Sequence, residues 1–305
     1  MTKRAFLYPG QASQYVGMGK DLYENFEDVK AIYDTAEKFL GFPLKKICFE
    51  GPEEELKRTQ ITQPAIFVHS YAVTKLLLDK GLNPDCVAGH SLGEYTALVA
   101  AKALTFEQAL NVVKIRGEQM QKAGDVNPGT MAAIIGMEEA QVRELCNNAS
   151  TIGVVQIANY NSPGQLVISG SVQGVREVMS TAGKMGAKRT IELVVSGAFH
   201  SPLMEHAQEG LKKALENAHF SKAKMPVYTN VTAQATSEPE DLRDSSYKQL
   251  THPVLWTDII RNMINAGVDE FYEVGPGKVL TGLLKRISRE HRCYPTGTKE
   301  QTDAV

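Results

Sequence analysis

Gly89-His90-Ser91-Leu92-Gly93 limits what this chain can fold into more than any other stretch. It has the form Gly-x-Ser-x-Gly. Upstream, Asp85-Cys86-Val87-Ala88 reads as a short buried strand that leaves the turn Leu82-Asn83-Pro84. Downstream, Leu92 to Lys102 is rich in Leu, Ala, Glu and Tyr and reads as a helix. Strand, sharp turn and helix together form a nucleophile elbow. The turn lifts a serine hydroxyl to the top of a sheet, and glycines on both sides let neighbouring backbone pass close by. The positive end of the helix beneath favours negative charge near that serine. Five-residue patterns of this kind also arise by accident, so the strand and helix on either side carry the argument.

Composition rules out several other classes. The 305 residues suffice for one large domain, or for a large one with a small one. A formal charge of −2 implies no electrostatic nucleic-acid surface. The four cysteines, Cys48, Cys86, Cys146 and Cys293, are scattered with no CxxC pair, so neither a zinc site nor a disulfide framework is expected. No apolar run reaches the length of a membrane span. Met1-Thr2-Lys3-Arg4 runs at once into Ala5-Phe6-Leu7-Tyr8, which leaves no room for a leader peptide, and a cytoplasmic protein is expected.

The chain opens on a strand over 5–8, followed by the loop Pro9-Gly10-Gln11-Ala12-Ser13-Gln14. That loop fits neither nucleotide-binding glycine pattern; it is a turn, or a source of backbone N–H groups for an anion. A helix is expected over 21–41, a solvated helix start at 51–55, and a third helix opening at Gln63-Pro64 and ending at Gly81. Thr105-Phe106-Glu107-Gln108 matches a capping box. On the helix it opens, Ala109, Val112, Val113 and Met120 form an apolar stripe that Arg116 interrupts. A charge there is costly unless paired, so Arg116 either snorkels to the rim or is a fork waiting for a carboxylate or phosphate. Gly124 to Gly129 is the candidate boundary. Beyond it, strand, helix, two strands, helix and strand follow up to Val195, the βαββαβ order of a ferredoxin-like unit. The expected division is a large catalytic domain, 1–126 and 198–305, with a small subdomain, 127–197, inserted into it. The chain returns through Gly197-Ala198-Phe199-His200-Ser201-Pro202, where Ser201 and Pro202 start a helix. A strand over 226–231, a helix over 254–266 and a strand over 269–274 complete the core pattern. Gly275-Pro276-Gly277-Lys278 lacks the Walker spacing and reads as a tight turn.

A serine hydroxyl is a poor nucleophile until a base within hydrogen-bond reach takes its proton. Seven histidines compete for that role. His90 adjoins Ser91 and should point away from it on a sharp turn; His69 is a packing or capping residue, and His206, His219 and His291 have no local signal. His200 has the best setting, on a loop just before a rigid helix, and His252 in Thr251-His252-Pro253 remains a rival.

Gly10-Gln11-Ala12-Ser13-Gln14, Gly89 to Tyr95, Ile115-Arg116-Gly117 and Gly197 to Ser201 resemble, in order, the motifs of the malonyl-CoA:acyl carrier protein transacylases. Gln249-Leu250, Pro253-Val254, Trp256 and Gly275-Pro276-Gly277 continue the likeness, which runs from about Ala5 to Ile287. The first loop departs from the family's usual Gly-Gln-Gly-Ser-Gln, with Ala12 at the middle glycine. The resemblance implies an α/β fold, an α/β-hydrolase-like large domain carrying the ferredoxin-like insertion. It implies Ser91 as nucleophile, His200 as general base, backbone N–H groups of Gln11 and Leu92 as oxyanion hole, Gln249 orienting His200 through its carbonyl, and Arg116 on the malonyl carboxylate. No metal or cofactor is implied; malonyl-CoA and acyl carrier protein are the partners, in fatty-acid synthesis. Phe199 resembles the residue of malonyl-using members. Alternatives are a trans-acting polyketide acyltransferase, a serine thioesterase, and a non-catalytic carrier-binding module. Lys184, Lys188, Arg189, Lys285 and Arg286 are the candidate basic docking residues for an acidic carrier.

Overall fold

In the computed structural model, which describes residues 2–305, Ala5, Phe6, Leu7 and Tyr8 are all fully buried. An uninterrupted apolar strand of this kind must be covered on both faces, as in a parallel sheet between helical layers. The first strand, β1 (Arg4–Tyr8), pairs in parallel with β2 (Cys86–Gly89) on one side and with β9 (Glu270–Glu273) on the other. Its side chains alternate between two cores: Phe6 and Tyr8 join the larger one, Ala5 and Leu7 the one built around Trp256, Phe271 and Ile260. With β7 (Val227–Tyr228), β8 (Ala235–Thr236) and β10 (Arg292–Pro295), these strands form a sheet of order β10-β9-β1-β2-β7-β8, antiparallel only at β8. The register sets Tyr8 beside Gly89. The loop after β1 and the turn after β2 therefore leave the sheet side by side at its carboxyl end, where ligands of open α/β sheets gather.

A second, antiparallel sheet has the order β4-β5-β3-β6 and is built from β3 (Gly129–Ile135), β4 (Val155–Ser162), β5 (Gln165–Ser171) and β6 (Arg189–Glu192). Helices Glu139–Ala149 and Val172–Lys184 cover one of its faces and share a separate core of Ile134, Val142, Ile168 and Val178. Strand β4 also touches the large sheet's neighbourhood, because Val254 donates its N–H to Ala158 and Tyr160 donates to Val254. The fold is thus mixed α/β with two sheets.

Several elements differ from what the sequence implied. The helix expected over 21–41 is two helices, Lys20–Asn25 and Glu27–Leu40, because Phe26 adopts an extended backbone and packs its ring on the core. The helix expected to open at Gln63-Pro64 begins at Thr59 and carries Pro64 in its first turns. Proline there forfeits only the bond to the Gln60 carbonyl, and burial of residues from Thr59 to Leu77 outweighs that loss. The strand expected up to Val195 ends at Glu192, and Val194 is 91% exposed. The strand expected over 226–231 shrinks to Val227–Tyr228. Edge strand β10 and the helices Leu44–Glu50 and Lys299–Asp303 carried too little periodicity to be read. The capping box is present as expected: Thr105 accepts from Gln108 N, and Gln108 accepts from Thr105 N. Among the described residues no helix is long and apolar enough to cross a membrane. Met1, where the reading of the N-terminus starts, lies outside the described residues.

Ala12 sits at φ 82°, in the left-handed region. That conformation costs an L-residue roughly 1–2 kcal/mol, whereas glycine avoids it and gives back about 0.4–1 kcal/mol in unfolded-chain entropy. Ala12→Gly should therefore raise stability by up to about 1 kcal/mol in urea denaturation. A loss of stability would contradict this account of the loop.

Candidate active site

Ser91 stands at φ 50°, between β2 and the Gly93–Ala100 helix. Sterics explain both flanking glycines. A Cβ on Gly89 would lie 1.9 Å from the Gly93 carbonyl carbon, and one on Gly93 would lie 2.1 Å from the Tyr8 carbonyl oxygen. Only this glycine pair lets the elbow fold on itself and on β1 at once. The left-handed backbone at Ser91 holds its hydroxyl out of the turn, half-exposed, while Leu92 behind it is buried.

Ser91 Oγ donates to His200 Nε2 at 2.8 Å. His200 Nδ1 in turn donates to the Gln249 carbonyl at 2.8 Å and, more weakly, to the His252 carbonyl at 3.2 Å. Gln249 closes the Pro239–Lys248 helix, whose last carbonyls have no partner within the helix, so a neutral backbone acceptor fixes the imidazole tautomer. The base is buttressed from the second sheet as well, by Gln156 Nε2 donating to the His200 carbonyl at 2.8 Å. His200 itself is left-handed at φ 58° and 3% exposed. Its pKa is pushed down to about 3, first by burial and then by the charge on Arg116. The rival His252 offers only its backbone; its own ring donates to the Lys248 carbonyl.

Arg116 projects from the middle of the Phe106–Val126 helix and is 1% exposed. Nη1 donates to Gln63 Oε1 at 2.7 Å, and Nη2 to Gln249 Oε1 at 2.8 Å and to Ser91 Oγ at 3.2 Å. The guanidinium also lies over the Tyr95 ring, 5.5 Å from its centroid. Snorkelling is therefore excluded. This cation is buried among amide oxygens, a hydroxyl and an aromatic face, and no carboxylate is among its hydrogen-bond acceptors. The buried Glu94 carboxyl acts on it through space without a hydrogen bond; a buried charge with no direct ion pair is costly, which makes Arg116 a candidate anion site.

Gln11 lies in the loop after β1, next to the elbow, and Leu92 follows Ser91; among the described residues neither backbone N–H donates to a protein acceptor. Leu92 precedes the first residue of a helix, where unpaired donors and the helix dipole converge. The N–H of Ser91 is, by contrast, already engaged by Asn230 Oδ1 at 2.7 Å. Two free donors beside a nucleophile can stabilise the negative oxygen of a tetrahedral intermediate.

The structure thus brings Ser91, His200, Arg116 and Gln249 into direct contact, with Leu92 next to Ser91 and Gln11 in the neighbouring loop, where its side chain donates to Thr59. Sequence reasoning missed Gln63, Asn230, Gln156 and the role of Glu94. Gln63 sits in a helix that also buries Thr59, Thr62, His69, Ser70 and Thr74, so its polarity alone does not single it out in the sequence. His90 donates to Asn161 Oδ1 at 2.9 Å, and His69 is enclosed between Tyr33 and the Gly297 carbonyl, so both point away from the nucleophile. Among the described residues no group of histidines, cysteines and acids could hold a metal ion.

Fold and site together define an acyl-transfer serine enzyme, and the chain belongs to the acyl transferase domain family, which it matches over residues 5–303. Members of that family that it resembles include malonyl CoA-acyl carrier protein transacylases. It is 45% identical to the malonyl CoA-acyl carrier protein transacylase of Bacillus subtilis, over 98% of this chain and 95% of that protein. An acyl carrier protein S-malonyltransferase structure from Vibrio cholerae superposes with a TM-score of 0.96 at 40% identity, covering all of both chains. A malonyl-transacylase solved in complex with a type II polyketide acyl-carrier protein superposes equally well, at 0.96 and 36% identity, covering 99% of this chain and 98% of that one.

A base already neutral at low pH gives a specific expectation. Because the pKa of His200 lies near 3, the free protein should keep its base unprotonated far below the ordinary histidine value of about 6.5. The pH profile of kcat/KM for acyl transfer to Ser91, which reports the free enzyme, should therefore show no histidine limb between pH 8 and about 5. It should be measured beside Glu94→Gln, since burial raises Glu94 to about 7 and its own titration must be told apart. A limb near 6.5 that survives in Glu94→Gln would contradict the assignment of His200.

Proposed function

We propose that this protein moves a malonyl group from malonyl-CoA to the phosphopantetheine thiol of an acyl carrier protein, through a malonyl ester on Ser91. The observation that carries this reading is Arg116, a buried guanidinium 3.2 Å from the nucleophile with only neutral acceptors around it. A thioester whose acyl chain ends in a carboxylate supplies the missing negative charge, and a guanidinium and a carboxylate can pair through two parallel bonds.

In the first half-reaction Ser91 Oγ bonds to the thioester carbonyl carbon as its proton passes to His200 Nε2. The carbonyl oxygen becomes an oxyanion, received by the N–H groups of Gln11 and Leu92. Collapse breaks the carbon–sulfur bond, and the departing CoA sulfur takes the proton from His200. In the second half-reaction the carrier thiol gives its proton to His200 and its sulfur attacks the ester carbonyl. The carbon–Oγ bond then breaks, and Ser91 recovers its proton. No metal or cofactor enters either half. Gln249 serves twice, with its carbonyl holding His200 and its side chain holding Arg116 and, at 3.0 Å, the Ser91 carbonyl.

Arg116 also couples substrate charge to base strength. Its positive charge is one of the causes that depress His200. A bound malonyl carboxylate cancels that charge and strengthens the base when it is needed; an acetyl group leaves Arg116 unpaired and His200 weak. Selection between the two therefore acts on binding and on chemistry together.

The organisation we infer is an α/β-hydrolase-like body, 1–126 and 198–305, into which a ferredoxin-like unit, 127–197, is inserted. The order β4-β5-β3-β6 with two helices on one face supports it. The exposed Lys184, Lys188, Arg189, Lys285 and Arg286 suit the docking of an acidic carrier protein, and fatty-acid synthesis is the pathway we infer.

Three outcomes are expected. Mixing with malonyl-CoA should add one malonyl mass to the protein, absent in Ser91→Ala; a native protein that gains no adduct would contradict the mechanism. Arg116→Ala should lose malonyl transfer while keeping or gaining acetyl transfer, and an unchanged malonyl preference would sink the selection argument. Gln63→Glu puts a carboxylate on Nη1 in place of an amide, so KM for malonyl-CoA should rise on the order of tenfold or more as an internal anion competes for the guanidinium. An unaltered KM would show that Arg116 need not be charge-unpaired.

A further inference from the structure

One polar cluster beside the nucleophile takes no part in the chemistry above. Asn230, fully buried, lies just beyond β7 and sends its side-chain amide to both arms of the elbow. Its Oδ1 accepts from Ser91 N at 2.7 Å, and its Nδ2 donates to the Gly89 carbonyl at 2.6 Å. Its own backbone N–H donates at 2.8 Å to Oε2 of Glu94, which is 1% exposed in the first turn of the helix that follows Ser91. Strand end, elbow and helix start are thereby tied through one residue.

The elbow needs such a tie. Ser91 is held left-handed, and the carbonyl of Gly89 and the N–H of Ser91 bracket the bend where no strand or helix partner is available to either. The two ends of one carboxamide, an acceptor and a donor on separate atoms in a single plane, match that pair; an ionised carboxylate has no donor, and a hydroxyl must serve both from one atom. The bond to Ser91 N has a second effect. It removes that N–H from the set that could meet an oxyanion, leaving Leu92 and Gln11 as the donors.

Resting on the function proposed above, we propose that Asn230, held by Glu94, is the positioning residue that fixes Ser91 Oγ within reach of His200 and sets which backbone donors face the oxyanion. Neither residue touches substrate. Their effect is on the rate of serine acylation and not on the binding of malonyl-CoA.

The test uses the full-length protein and rapid-quench mass detection of the malonyl adduct, with wild type measured first. If wild type acquires no malonyl group, the functional reading fails and this inference with it; if wild type is acylated, the variants judge the inference alone. Asn230→Asp preserves size and the acceptor for Ser91 N but loses the donor to Gly89. It should be acylated about tenfold to a hundredfold more slowly, with KM for malonyl-CoA within about twofold, as expected when a reacting atom shifts by a fraction of an ångström. Glu94→Gln keeps an acceptor for Asn230 N and should stay within about threefold of wild type, whereas Glu94→Ala should fall with Asn230→Asp. Combining Glu94→Ala with Asn230→Asp should cost little more than Asn230→Asp alone, because the carboxylate acts through the asparagine. To separate positioning from general weakening, Val73→Ala, a core truncation remote from the elbow, serves as a melting-temperature reference. Acylation of Asn230→Asp within about threefold of wild type, or a loss no greater than that of Val73→Ala at an equal fall in Tm, overturns the proposal.

Discussion

A guanidinium sealed from water with no carboxylate among its hydrogen-bond acceptors is the interaction around which this site is arranged. Arg116 could have been paired, as buried charges usually are. Here its acceptors are the amide oxygens of Gln63 and Gln249 and the hydroxyl of Ser91. Amide oxygens satisfy the N–H geometry without cancelling the charge, and Glu94, the buried acid that bears on it, acts only through space. The amide of Gln63 is itself oriented, since its Nε2 donates to Met120 Sδ at 3.3 Å. Tyr95 lends the face of its ring, which stabilises a cation without neutralising it.

The same charge, after burial, holds down the pKa of His200. His200 is buried beside Arg116 and has a backbone carbonyl, not an acid, behind it. An acid in that place would hold the imidazolium strongly and would also compete for the guanidinium. A carbonyl orients the ring without adding a negative charge beside it. Three of the five non-glycine residues with left-handed backbones among the described residues, Ala12, Ser91 and His200, lie in or beside the site; Lys102 and Ala233 do not. Each of the three is held locally: Ala12 by its N–H on Gln14 Oε1 at 2.8 Å, the elbow by its two glycines and Asn230, and His200 by Gln156 and by Ser201, whose hydroxyl donates to the Ala198 carbonyl at 2.6 Å.

How much of this the sequence disclosed depended on range. Ser91 was legible because the elbow is local, a strand, turn and helix within a few residues. Arg116 was legible because a charge on an apolar stripe breaks a periodic pattern. His200 was only half legible, since a loop before a helix suits a base but does not say what faces it; the family resemblance decided between it and His252. Gln63 and Asn230 were not legible. Their partners lie 53 and 139 residues away in the chain, and nothing near them records that distance. Among the elements, long buried helices and the strands of the parallel core were expected. The break at Phe26 and the proline inside the Thr59–Asp79 helix were not, because tertiary packing decided both.

The central claim is that the charge on Arg116 is reserved for the acid of the acyl group. The structure of the malonyl-Ser91 intermediate, trapped at low temperature, tests it most directly. The account predicts the malonyl carboxylate on the guanidinium through two oxygen–nitrogen contacts of about 2.8 Å, with Gln63 still on Nη1. A carboxylate turned to solvent, with Arg116 keeping only its present amide and hydroxyl partners, would contradict it.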